Sequence, residues 1–123
     1  MEHKIWFDDD HQLIQMKIKG DYLTEETLYL GKKCIELLVG KPYRQMVVDL
    51  REFGNMENRE TRSISNEMLN KAGITDVAYI GANAASRMIA KVLMKLGSLK
   101  AESDFFKDFN DAFTWIEKRR KKQ

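Results

Sequence analysis

Asp8-Asp9-Asp10-His11 is the first group in the chain whose residue types suit chemistry, since clustered carboxylates beside an imidazole are metal ligands. A calcium loop spaces its oxygens and turns on a glycine, and this run does neither. Three adjacent aspartates between apolar segments make instead a solvated turn that also discourages edge pairing. The other nucleophiles and ligands are sparse: two histidines, His3 and His11, and one cysteine, Cys34. They do not amount to a zinc set, and one cysteine makes no internal disulfide. Nothing beside Cys34 would lower its pKa, so it is expected to be a small buried hydrophobe. No serine sits in a nucleophile motif, and no acid, base and nucleophile fall together. The residues point to no enzyme, no cofactor and no metal.

The cations are more organised. Gly81–Ser86 opens a helical pattern after an apolar run, so its backbone N–H groups would face an anion. It lacks both Gly-x-Gly-x-x-Gly and Gly-x-x-x-x-Gly-Lys, which leaves a nucleotide site with weak support. Arg87, Lys91 and Lys95 follow at i, i+4, i+8 along one edge of that helix, a stripe of one sign. With Asn83 and Ser86 they form a candidate patch for an anion or an acidic partner. The simpler account of the same stripe is a solvated flank with snorkelling stems. Lys118, Arg119, Arg120, Lys121 and Lys122 make a basic tail over 118–123. Such a run gains about 1 kcal/mol per charge at an anionic membrane surface, but complementing a helix dipole explains it more simply.

These residues must be positioned by a chain of 123 residues, 43% hydrophobic and 33% charged, which suits one domain with a core of its own. No apolar run is long enough to span a bilayer, and the N-terminal residues do not read as a signal peptide, so a cytoplasmic protein is expected, without stable membrane insertion. The net charge of +2 is too small to imply nucleic-acid binding, and it arises from the basic end of an otherwise acidic body.

His3–Phe7 and Leu13–Lys19 flank the aspartate turn as a β-hairpin. Thr24, followed by Glu25 and Glu26, is expected to cap a helix whose buried face is Leu28, Gly31, Ile35 and Leu38, with Gly31 in close packing. Met46–Leu50 is a buried central strand, and Arg51–Met56 a loop turning at Gly54-Asn55. A polar helix over about Glu57–Lys71 follows, with Ile64, Met68 and Leu69 as its apolar contacts. Val77–Ile80 is a strand, Ala84–Leu96 an amphipathic helix, and Asp104–Phe106 a last short strand. Asp108 then caps a closing helix that buries Phe109, Ala112, Phe113 and Ile116. The order β-β-α-β-α-β-α-β-α predicts an α/β fold: a mixed sheet, hairpin plus parallel strands, packed against about four helices.

In this order the chain resembles the STAS domain, the sulfate-transporter and anti-sigma-factor-antagonist module, and in particular small stand-alone bacterial STAS-like proteins. Val47-Val48-Asp49-Leu50 with Phe53 and Met56 is similar to the family's central strand and following loop. Val77–Leu96 with Gly97, Phe105-Phe106 and Asp111-Ala112-Phe113-Thr114-Trp115-Ile116 is similar to its later elements. The resemblance implies an Asp-Ser pair where the central loop meets the next helix, with the serine phosphorylated by a partner kinase. Here Glu57-Asn58 stand at that place, and asparagine offers no hydroxyl to phosphorylate. The nearest hydroxyls are Thr61, Ser63 and Ser65, which read as polar positions of a solvated helix.

The expected function is a non-enzymatic regulatory module that recognises a protein partner without a phosphoserine switch. Its surface would be Phe53, Met56, Glu57, Asn58, Arg59 and Arg62, with Asn83–Arg87 as a second patch. The alternative is a carrier of a small apolar or lipid-like ligand of the Sec14 type, for which seven methionines would line an adaptable cavity. A homodimer through the hairpin edge is compatible with this architecture.

Overall fold

The computed structural model describes residues 1–56, 59–81, 84, 87, 88, 91 and 99–122, with Met56 and Arg59 placed through their backbone. The hairpin forms as expected from β1 (Lys4–Asp8) and β2 (Leu13–Tyr22), with Phe7 opposite Ile14 and Asp8 opposite Leu13. Asp8 Oδ1 accepts from the backbone N–H groups of Asp10 and His11, each at 3.1 Å, and Gln12 takes a left-handed φ of 55°. The aspartate run is therefore a turn held by its own first carboxylate.

Next come α1 (Thr24–Leu37), β3 (Gln45–Met56), α2 (Arg59–Lys71), β4 (Asp76–Ile80), β5 (Glu102–Phe106) and α3 (Phe109–Arg120). The sheet order is β1-β2-β3-β4-β5; β1 runs antiparallel to β2, and the remaining neighbours are parallel. Successive right-handed crossovers in one direction put their helices on one face. There Ile14, Met16, Ile18, Met46, Val48, Leu50, Val77 and Tyr79 meet Leu30, Cys34 and Leu38 at α1 and Leu69 and Ala72 at α2. α3 closes the opposite face, setting Ala112 and Ile116 against Leu13, Val47, Ala78 and Ile80. Covered on both sides, β3 and β4 read in the sequence as continuous apolar runs.

Four expectations need correction. Among the described residues there are three complete helices rather than four. The expected helix Ala84–Leu96 falls largely outside the described residues, although Ala84, Arg87, Met88 and Lys91 are helical. Arg51–Met56 is not a loop but the second half of β3. The N-cap of α1 is Leu23, not Thr24: Glu26 Oε1 accepts from the Leu23 N–H at 3.0 Å, and Thr24 is the first helical residue. The buried face of α1 is Thr27, Leu30, Gly31 and Cys34, which leaves Leu28 and Ile35 exposed.

Gly31 does sit in close packing. A Cβ there would lie 2.7 Å from Cβ of Met68 on α2, so the two helices approach where a side chain is missing. Asp108 caps α3 as expected, accepting from the Asp111 N–H at 2.9 Å.

Candidate functional site

The described residues of both patches expected from the sequence lie at the carboxyl ends of the parallel strands, where open α/β sheets commonly form their sites. At the first, β2 and β3 stay paired beyond a register shift, with Gly20 opposite Phe53 and Tyr22 opposite Met56. Gly54 looks like a turn residue but serves another need. Asp21 Oδ1 accepts from the Asn55 N–H at 3.1 Å, and a Cβ on Gly54 would stand only 2.5 Å from that oxygen. The glycine lets the carboxylate cross the strand and hold it in the sheet.

Phe53 is half-buried and packs on the core, where it lines a cavity of about 30 Å³ with Tyr22, Ser65 and Tyr79. Burial pushes the Tyr22 phenol up to about 12, although Thr27 and Ser65 hydrogen-bond to it. Thr61, in the first turn of α2, is fully buried, and its hydroxyl lies 2.8 Å from that of Thr24. The two hydroxyls join the starts of α1 and α2. Glu60 is exposed and Arg62 half-buried. Of the three hydroxyls near Asn58, Thr61 is inside, Ser65 half-buried, and Ser63 exposed. Glu57 and Asn58 lie outside the described residues, as do the side chains of Met56 and Arg59.

A histidine supports this end of the sheet from beneath. The ring of His3 is buried, and its Nδ1 accepts from the Lys19 N–H at 3.0 Å. Nε2 therefore carries the proton, which faces the Asp21 carbonyl at 3.1 Å and Glu26 Oε1 at 3.2 Å. One imidazole thus connects β2, the Asp21 crossing and the start of α1. Sequence inspection placed His3 on the hairpin but offered no sign of this role, because its partners lie up to 23 positions away.

The second patch is a groove of about 620 Å³ between the helical segment after β4 and the end of β5. Arg87, Lys91 and Lys107 line it together with Met88 and Phe105. The Arg87 guanidinium lies over the Phe105 ring, 5.4 Å from its centroid. Phe105 comes from the strand neighbouring β4, and Lys107 is the residue just beyond that strand, a juxtaposition that periodicity along a single helix does not reveal. Asn83, Ser86 and Lys95 lie outside the described residues.

No protein-family model matches the chain, and no curated protein matches it. Solved structures do. A DUF3478-family protein with a SpoIIAA-like fold from Shewanella loihica PV-4 superposes with a TM-score of 0.67 at 19% identity, over 93% of this chain and 91% of that one. The anti-sigma factor antagonist SpoIIAA in its unphosphorylated form superposes with a TM-score of 0.58 at 6% identity, over 96% of this chain and 97% of that one. The fold is SpoIIAA-like.

Within this SpoIIAA-like fold the basic C-terminal run is only partly a solvated tail. Arg119 Nε donates to Oδ1 of the fully buried Asp76 at 2.7 Å. Arg120 donates through Nε to Gln45 Oε1 and through Nη2 to the carbonyls of His11 at 2.6 Å and Gln12 at 2.7 Å, with its guanidinium over the Tyr43 ring. Gln45, itself fully buried, donates to Asp76 Oδ2 at 3.0 Å and to the Ile116 carbonyl at 3.3 Å. This network fastens the last turn of α3 beneath the strand starts, at the opposite end of the sheet from both patches. Among the described residues, no group of three or more histidine, cysteine or acidic side chains is placed to hold a metal, and no helix is long and apolar enough to cross a membrane.

Proposed function

We propose that the chain is a non-enzymatic, regulatory protein-interaction module whose contact surface is the end of β3 with the start of α2. The observation that supports this most is its superposition with an anti-sigma factor antagonist over nearly the whole of both chains. The surface would comprise Phe53, Met56, Glu57, Asn58, Arg59 and Arg62. Its anchorage favours the assignment, since the Thr24–Thr61 contact and the Asp21 crossing give it a rigid base. A fixed base beneath a contact surface lowers the entropy lost on association. Asn58 would make recognition independent of phosphorylation at that position.

The carrier alternative gains little from the cavity at this surface. The apolar cavity beside Phe53 holds about 30 Å³, the space of a single water rather than of an acyl chain.

The test is capture from the native cell extract by the immobilised chain, repeated with an Asn58→Ala/Arg59→Ala variant. One protein retained by the wild type, with affinity weakened about tenfold or more by the paired substitution at unchanged unfolding temperature, is the expected result. Equal capture by both would place the contact surface elsewhere.

A further inference from the structure

We infer that the groove beside β5 binds a phosphate monoester carried on a compact apolar body. Three cations, Arg87, Lys91 and Lys107, line it, and no carboxylate does among its described residues. Arg87 and Lys91 stand at i, i+4 and repel each other, a strain that a bound anion relieves. A phosphate monoester carries a charge of about −1.5 to −2 at pH 7, a closer match to three cations than a single carboxylate. The arginine adds a planar fork suited to two phosphate oxygens.

Size and lining define the rest of the ligand. A bare phosphate would fill only a small part of about 620 Å³. Met88, 64% exposed, and the Phe105 ring provide apolar surface beside the cations. That ring is well fixed: Phe105 pairs with Tyr79 in the sheet and packs against the core, while Arg87 lies over it. Gly81, whose N–H donates to the Phe106 carbonyl at 3.2 Å, ties the far wall of the groove to the same strand. A rigid apolar floor flanked by cations is complementary to an aryl or alkyl phosphate, whether a soluble ester or the headgroup of phosphatidic acid.

The experiment is calorimetric titration of the full chain with 1-naphthyl phosphate, compared with inorganic phosphate and with 1-naphthol. Saturable binding of the ester, tighter than that of either fragment, is expected. Arg87→Gln and Lys107→Gln should each weaken it about tenfold, the effect of losing one charged hydrogen bond, at unchanged unfolding temperature. Sedimentation with phosphatidic acid vesicles separates the sources. Pelleting that Arg87→Gln abolishes assigns the site to the headgroup; ester binding without pelleting assigns it to a soluble ester. Absence of ester binding, or affinity indifferent to both substitutions, would overturn the inference and leave the stripe a solvated helix flank.

Discussion

Arg119 and Asp76 meet at 2.7 Å, joining the last turn of α3 to the first residue of β4 across 43 positions of sequence. Asp76 is fully buried, and its second oxygen accepts from Gln45 and from the Thr75 hydroxyl at 2.8 Å. Removing the carboxylate takes one acceptor from each of these donors and the counter-charge from Arg119. Asp76→Ala is therefore expected to cost about 2–3 kcal/mol in urea unfolding. Arg119→Gln should lower stability in the same direction by stripping the cation from a buried charge. Because the two side chains share one contact, the double variant should lose less than the two single losses added together. Simple additivity would show that the pair is not coupled.

Gly31 and Met68 set the distance between α1 and α2. Alanine is the better helix former by about 1 kcal/mol, so propensity alone predicts that Gly31→Ala stabilises the protein. The packing predicts the reverse, because the new Cβ would lie 2.7 Å from the Met68 Cβ, which cannot swing away as a side-chain tip would. Overpacking of this kind costs about 1–3 kcal/mol. A net loss in unfolding free energy is the expected outcome. A gain would mean that the helices separate freely.

The same pair illustrates what the sequence could disclose. Gly31 within a helical pattern already implied close packing, but the neighbour it accommodates, Met68, is far along the chain in α2 and left no local trace. Element order was legible because crossover strands and amphipathic helices each carry their own period. The face of α1 was not. Leu28 and Ile35 fit a helical stripe as well as Thr27, Leu30 and Cys34 do, and only packing against α2 and the sheet selects the second set. The extension of β3 was hidden for a different reason: Gly54-Asn55 has turn chemistry, and the strand there depends on the distant Asp21 carboxylate. Arg87 and Lys91 were visible as candidates, whereas Phe105 and Lys107 join them only through the pairing of β5 with β4.

Cys34 offers a test of burial without changing a residue. The side chain is inaccessible, and burial pushes its thiol up to about 12. Since the thiolate is the reactive form, a disulfide reagent at pH 8 should label the folded chain only as fast as it opens, and the urea-unfolded chain promptly. Prompt labelling of the folded protein would contradict the placement of Cys34 against the sheet.

Asp8 supplies the pH dependence. Burial raises its pKa, but hydrogen bonds from Gln15 Nε2, the His11 ring and the His11 backbone, together with the His11 charge, outweigh that effect and hold it below the ordinary 3.8. A carboxyl whose folded value is depressed contributes stability above its unfolded pKa and loses that contribution as pH falls through the folded value. Asp8→Asn retains the amide oxygen that can close the turn while removing the charge. The wild type should therefore be more stable than Asp8→Asn at pH 7 and at pH about 5, and the gap should narrow as the solution is taken below about pH 4, towards the folded value. Urea midpoints of both proteins across that range measure it. A gap that stays constant, or widens, as the pH is taken below about 4 would show that the charge on Asp8 does not hold the hairpin turn.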